Sequence, residues 1–91
     1  MNRNVKCGII QMANKVATDR PCEEHRAGML EAHLPYIREA AEKGVKILCF
    51  QEVFTGPYFC PSQDTKWYGL AEKIPEGPTT QKMMAMAKEH D

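Results

Sequence analysis

The sequence lacks an excess of either charge and has no long apolar run. Twelve Lys and Arg residues balance twelve Asp and Glu residues, so no long-range field attracts phosphates. The apolar stretch from Val5 to Ala13 is interrupted by Lys6 and Gln11, and it is too short and too polar for a signal peptide or a membrane span. We therefore expect a cytoplasmic protein that binds neither nucleic acid nor membrane.

A dense cysteine framework is also missing. The four cysteines are scattered along the chain, at Cys7, Cys22, Cys49 and Cys60. Cys7 and Cys49 fall inside predicted strands, where a free thiol packs as a small apolar group. We expect reduced thiols, with Cys49 buried.

Paired metal ligands are absent as well. Cys22 and His25 stand three residues apart, and His33 and Cys60 follow, but structural zinc sites bring two tight ligand pairs and the second pair is missing here. Solvated residues near a helix start explain the histidines more simply. We expect no metal.

The first half of the chain has the pattern of a strand, a helix and a second strand. Val5 to Ala13 is apolar without strict alternation, which is typical of a strand covered on both faces. Apolar residues then recur at helical spacing between Glu24 and Lys43, where Pro35 predicts a kink or a break. Gly44 suits a helix end, and Val45 to Phe50 reads as a strand. Together these segments predict a parallel βαβ unit and an α/β fold.

The second half begins with a long irregular stretch from Gln51 to Gly77, with a short helical turn around Thr65 to Ala71. A last helix is expected to start at Pro78 and Thr79, with Thr79 as its cap, and to run to Asp91. Its predicted packing residues are Met83, Met84, Met86 and Ala87. Two strands make a marginal sheet, so we expect residues 1–91 to be a truncated N-terminal segment of a domain.

The chemistry is expected where the second strand ends, because ligands of open α/β sheets bind beyond the carboxyl ends of the strands. Glu52 is the one carboxylate at that place. Its neighbours Phe50, Val53 and Phe54 should partly desolvate it, which disfavours the charged form and makes it a better proton acceptor. From position alone, a solvated or salt-bridged glutamate is the commoner alternative.

A motif favours the catalytic alternative. The run from Gly44 to Glu52 (GVKILCFQE), followed by Phe54 to Cys60 (FTGPYFC), resembles the first catalytic motif of the nitrilase superfamily of carbon–nitrogen hydrolases. The resemblance is closest to the branch of β-ureidopropionases and N-carbamoyl amidohydrolases. The first strand, the segment WYGLAEKIPEGPTT and the last helix fall in the order of that family.

This resemblance implies the N-terminal part of a four-layer αββα sandwich and a Glu-Lys-Cys triad that needs no cofactor. The cysteine attacks an amide or carbamoyl carbon, the glutamate accepts the thiol proton, and the lysine holds the oxyanion. Only Glu52 matches a triad position, as the general base, so the chain by itself is expected to be inactive. The implied partners are a small N-carbamoyl or amide substrate, such as N-carbamoyl-β-alanine or N-carbamoylputrescine, and further copies of the parent protein in a homo-oligomer.

Other hypotheses remain beside this one. Tyr58 is the best candidate to contact substrate among the loop aromatics, which otherwise pack the loop on the sheet. Cys60 could approach Glu52 as a local nucleophile, although no lysine in a comparable setting follows it. A truncated packing module without catalysis is an alternative of another class. A nucleotide-binding half is disfavoured, because no Gly-rich turn follows the first strand.

Overall fold

The computed structural model describes residues 3–90 and contains two strands, two α-helices and one 3-10 helix in that range. In chain order the elements are β1 (Cys7–Ile10), α1 (Cys22–Glu42), β2 (Ile47–Phe50), the 3-10 helix (Thr65–Leu70) and α2 (Pro78–His90). The first two residues of the expected domain and the expected helix end at Asp91 lie outside the described residues. Within residues 3–90, no helix combines the length and the apolar character needed to cross a membrane.

The two strands form a parallel pair joined by α1, which confirms the predicted βαβ unit and the α/β class. Cys7 lies opposite Ile47, and Ile10 lies opposite Phe50. Both strands are shorter than expected, four residues each. Pairing stops at Ile10 and Phe50, so the polar residues that follow them stand together at one edge of the sheet.

Helix α1 starts with two acidic residues in its first turn, which suit the positive end of the helix dipole. Gly44 follows the end of the helix as the predicted left-handed residue, with a φ of 77° that is readily reached only by glycine. The amide of Gly44 bonds the carbonyl of Ala41 and that of Val45 bonds the carbonyl of Ala40, which is a Schellman motif. Of the kink or break expected at Pro35, the break is wrong, because α1 continues through the exposed Pro35 as one helix.

A small apolar core lies between α1, α2 and one face of the sheet. Its buried members are Ile10, Leu34, Ile37 and Met86, and Met12, Leu48, Phe50 and Met83 pack partly buried around them. Each fully buried aliphatic side chain of this kind contributes about 1.5–3 kcal/mol. Met84 does not join them, contrary to expectation, because it points to solvent with 56% of its surface exposed.

The opposite face of the sheet is bare, so the prediction of strands covered on both faces is wrong for the described residues. Ile9 is 80% exposed and Ile47 is 58% exposed. Cys7 and Cys49 point to the same side and are exposed free thiols, so the expected burial of Cys49 is wrong as well. Side chains alternate along a strand, and both helices cover the face that carries Gly8, Ile10, Leu48 and Phe50.

A polar contact, which we call the Arg26 joint, connects α1 to α2 through Arg26, Glu72 and Thr79. Arg26 Nε lies 3.0 Å from Glu72 Oε2, an ion-pair distance without hydrogen-bond alignment, and both side chains are largely buried. The Arg26 guanidinium also donates to the carbonyl of Gly69 at 3.1 Å. Glu72 in turn accepts from the amide of Thr79 at 2.7 Å and from its hydroxyl. Glu72 therefore caps α2, instead of Thr79 as expected.

Candidate functional site

The carboxyl ends of β1 and β2 border an open cleft of about 560 Å³, which we call the strand-end cleft. It is lined by Gln11, Met12, Ala13, Gln51 and Glu52. Ligands of open parallel sheets bind at this edge, so the cleft is the place where the sequence predicted the chemistry. Glu52 is its one carboxylate.

Glu52 stands two residues beyond β2 and is exposed to solvent. The desolvation expected from its aromatic neighbours is not found. Phe50 and Phe54 stack on each other, with ring centroids 4.9 Å apart, and both rings meet His33 edge-on. The two phenylalanines thus cover α1 and leave the carboxylate free in the cleft.

The backbone around Glu52 is held on both sides. Before it, the amide of Met12 donates to Gln51 Oε1 at 2.6 Å, which joins the ends of the two strands. After it, Val53 has a φ of 53°, in the left-handed region that β-branched residues rarely adopt. Phe54 then anchors the turn through its stack on Phe50. Glu52 therefore lies between Gln51, which is bonded to Met12, and a turn that Phe54 anchors.

His33 supports this arrangement from inside the protein. It is fully buried, and its Nδ1 lies 2.6 Å from the carbonyl oxygen of Met29. A carbonyl only accepts, so Nδ1 carries the proton and donates. The expectation that the histidines near the helix start are solvated is wrong for His33, and also for His25, which is fully buried against Trp67 at 5.0 Å between ring centroids.

The four residues considered for zinc have separate partners. His33 bonds Met29, His25 packs on Trp67, and the Cys22 thiol donates to the carbonyl of Lys66 at 3.2 Å. Cys60 lies exposed in the loop. Between residues 3 and 90, no three His, Cys, Asp or Glu side chains converge as a metal site would require.

Tyr58 and Cys60 lie on the loop beyond the left-handed turn, and both are exposed. A hydrogen bond with the Cys60 side chain is the main cause that raises the pKa of the Tyr58 hydroxyl above its ordinary value. The charge of Cys60, desolvation and the charge of Glu52 add smaller parts in the same direction. Tyr58 thus feels the charge of Glu52, but it is not among the residues that line the strand-end cleft.

A second cavity, of about 340 Å³, lies on the helix-covered face between α1, α2 and β2. Its lining is mostly apolar, with Ile37, Leu48, Met83 and Met86 among the walls. It does not include Glu52 or any other carboxylate. Since catalysis needs convergent polar groups, the strand-end cleft is the stronger candidate site.

Sequence reasoning missed the roles of Gln51 and His33. Gln51 was visible as a polar residue at the end of a strand, but its partner Met12 is 39 residues away along the chain. His33 falls on the apolar stripe of α1, next to Leu34. That position was a signal for burial.

A family model and one relative match nearly the whole of this chain. The model of the carbon-nitrogen hydrolase family matches residues 6–91. A β-ureidopropionase of Arabidopsis thaliana is 30% identical over 89 residues, which cover 98% of this chain and 22% of that protein.

Two further relatives match a shorter stretch. An N-carbamoylputrescine amidase of Solanum lycopersicum is 40% identical over 53 residues, covering 58% of this chain and 18% of that protein. The omega-amidase NIT2 of Pongo abelii is 47% identical over 55 residues, covering 59% of this chain and 18% of that protein. The chain thus spans about a fifth of the length of the curated relatives it matches.

Proposed function

The chain belongs to the carbon–nitrogen hydrolase family, and on that premise we propose that it supplies the general base, Glu52, of an amidohydrolase that cleaves a linear, non-peptide carbon–nitrogen bond. The observation that carries the proposal is the position of Glu52. It is the one carboxylate of the strand-end cleft, and it lies inside the segment that matches the family. Its exposure supports the role, because a base must reach the proton that it accepts.

The proposed substrate is N-carbamoyl-β-alanine or a related N-carbamoyl amino acid. The similarity of nearly the whole chain to a β-ureidopropionase supports this choice. An N-carbamoylputrescine or another amide is the alternative, since an amidase named for that compound and an omega-amidase share higher identity over shorter stretches. Tyr58 is our proposed substrate contact, because it is exposed on the loop that follows Glu52 and the charge of Glu52 is among the causes that raise its pKa.

In the proposed reaction, Glu52 removes the proton from a cysteine thiol, and the thiolate attacks the carbamoyl or amide carbon. A lysine stabilises the negative charge that develops on the oxygen. Glu52 returns that proton to the departing amine or ammonia, and the carboxylate so restored accepts a proton from the water that releases the acyl group from sulfur. The lysine and the cysteine lie outside the motif around Glu52, so we propose that residues 1–91 form part of a larger hydrolase domain and are inactive by themselves.

The same proposal includes the setting of the enzyme. We place it in the cytoplasm as a homo-oligomer of the parent protein, acting without a cofactor. The chemistry of the triad supports the last point, because base, nucleophile and oxyanion stabiliser are all side chains.

The test is ammonia release by the protein at its natural length, from N-carbamoyl-β-alanine, N-carbamoylputrescine and a simple primary amide. Glu52→Gln keeps the shape and removes the base, so turnover should fall by about 10²- to 10⁴-fold. Glu31→Gln, on an exposed position of α1, is the matched control and should leave turnover unchanged. Failure to hydrolyse any of these compounds, or full activity of Glu52→Gln, would refute the proposal.

A non-catalytic packing module is the second candidate, and the bare face of the sheet favours it. Ile9 and Ile47 there are exposed apolar side chains that a partner surface would bury. Hydrogen exchange on residues 1–91 distinguishes the candidates in part. Strong protection of β1 and β2 in a monomer would contradict a module that needs a partner to fold.

A further inference from the structure

We propose that Gln51 is a positioning residue for Glu52, an inference that rests on the proposed role of Glu52 as the general base. The side chain of Gln51 accepts a hydrogen bond from the amide of Met12 at 2.6 Å, in a partly buried place. This bond ties the residue directly before Glu52 to the end of β1. Gln51 acts on the reaction only through Glu52.

The bond lies just beyond the paired part of the two strands. Pairing of the strands ends at Ile10 and Phe50, so beyond these residues no ladder holds the two chain segments together. Met12 and Gln51 both follow that end point, and both line the cleft. The side chain of Gln51 therefore replaces the next rung of the ladder and sets the width of the cleft.

The position of Glu52 depends on this bond because the next residue, Val53, is strained. Val53 has a left-handed backbone that is unfavourable for a β-branched residue, and such conformations persist only where the surroundings enforce them. After Glu52, the turn is held by the stack of Phe54 on Phe50 and by a bond from the amide of Gly56 to the carbonyl of Val53 at 3.5 Å. Before Glu52, the backbone is held by the Gln51 bond. Without the Gln51 bond, the strained turn can relax on that side and carry the carboxylate with it.

A purely structural role would produce a different result. A hydrogen bond that only stabilises the fold would lower the free energy of unfolding when it is removed and leave the chemical step unchanged. A positioning bond lowers kcat while KM and the fold are kept, because displacement of a reacting group by about 1 Å can cost about 100-fold in rate.

The test compares two substitutions of Gln51 in the protein at its natural length. Gln51→Met keeps the length of the side chain and removes the acceptor, so we expect kcat to fall by about 10- to 100-fold with KM within about threefold. Gln51→Glu keeps an acceptor oxygen, so most of kcat should return. Gln51→Glu also places a second carboxylate beside Glu52. A like charge disfavours the ionised form of Glu52, so the acidic limb of the pH profile of kcat should move to higher pH.

Gln81→Met is the matched control. Gln81 donates to the carbonyl of Pro75 at 2.6 Å, an exposed bond of the same length between residues that do not line the cleft. Its loss should not change kcat. ¹⁵N relaxation of the Glu52 amide adds a readout without turnover, and we expect lower order in Gln51→Met than in Gln81→Met or Gln51→Glu.

The outcomes separate the two proposals. If Glu52→Gln abolishes turnover while Gln51→Met matches Gln81→Met in kcat and in the order of Glu52, the positioning role is refuted and the base survives. If Glu52→Gln keeps its turnover, the base is refuted, and the relaxation data alone decide whether Gln51 orders this turn. Equal loss of kcat in Gln51→Met and Gln51→Glu would also refute the role of the hydrogen bond.

Discussion

The Arg26 joint and the strand-end cleft place their charged groups in opposite surroundings. In the joint, Arg26 and Glu72 are largely buried and each has several partners. In the cleft, Glu52 is exposed, and it is the neighbouring residues Gln51 and Phe54 that are held. This chain thus immobilises structural charges directly, but immobilises its candidate base only through the backbone. A carboxylate held in that way stays free to accept a proton.

The largest effect on stability is expected from Arg26→Met, which breaks the joint. The substitution leaves Glu72 buried without its cation, and removal of one partner from a buried pair costs about 3–5 kcal/mol. We expect about 3 kcal/mol, because Glu72 keeps its bonds from Thr79. Urea unfolding of the two proteins measures this loss in the free energy of unfolding.

Arg20→Met is the control for this prediction. Arg20 pairs with Glu24 at 2.6 Å on the surface, where both side chains are about half exposed, and such pairs contribute little. If Arg26→Met lowers the free energy of unfolding no more than Arg20→Met does, the joint contributes no more to stability than a surface ion pair.

The next effect is expected on the side of the cleft, from Phe54→Ala. Phe54 is half-buried, so its truncation should cost about 2 kcal/mol, less than the roughly 3–5 kcal/mol of a fully buried phenylalanine. It should also lower the order of the Glu52 amide in ¹⁵N relaxation, because the turn loses its anchor on Phe50 and His33. Tyr68→Ala is the control, because the Tyr68 side chain is 74% exposed. It should change neither the free energy of unfolding nor the order of the Glu52 amide. An unchanged Glu52 amide would mean that the aromatic stack does not hold the turn.

The two regions were unequally predictable from the sequence. The two strands, α1, the helical turn near Thr65 and the left-handed Gly44 follow from patterns within a few residues. Their presence and order were confirmed, but the strands are shorter than expected and α1 is unbroken at Pro35. The position of Glu52 at a strand end follows from the same local pattern. These features were readable because the interactions that produce them are local.

The Arg26 joint was not predicted, and neither was the bond between Gln51 and Met12. Arg26 reaches Gly69 across 43 residues and Gln51 reaches Met12 across 39, and nothing in the local sequence encodes such pairs. The burial of Cys49 and the desolvation of Glu52 were wrong for a related reason. Burial depends on which elements pack on a face, and within residues 3–90 both helices lie on the same side of the sheet.

Acid should weaken the joint through Glu72. Partial burial acts to raise the pKa of Glu72, but the hydrogen bonds from Thr79 and the charge of Arg26 outweigh it and hold the pKa below its ordinary value of 4.5. A lowered folded pKa stabilises the fold fully above about pH 4.5, and that stabilisation is lost as the pH falls through the folded value. Between about pH 7 and about pH 3, the free energy of unfolding should therefore fall more steeply in the unmodified protein than in Glu72→Gln. Parallel curves would show that Glu72 does not carry the acid sensitivity.

The smallest effect on stability, expected from Val53→Gly, is the sharpest test of the difference between the two regions. The left-handed backbone of Val53 costs about 1–2 kcal/mol in a residue with a Cβ, and glycine removes that strain. Glycine also gives the unfolded chain more freedom, which costs about 0.5–1 kcal/mol, so the two terms nearly cancel. The free energy of unfolding should change by less than about 1 kcal/mol, and kcat should be kept, because glycine adopts the left-handed backbone without strain and leaves the turn in place. A loss of stability above about 2 kcal/mol would mean that Val53 is held for its packing, and the cleft would then be built like the joint.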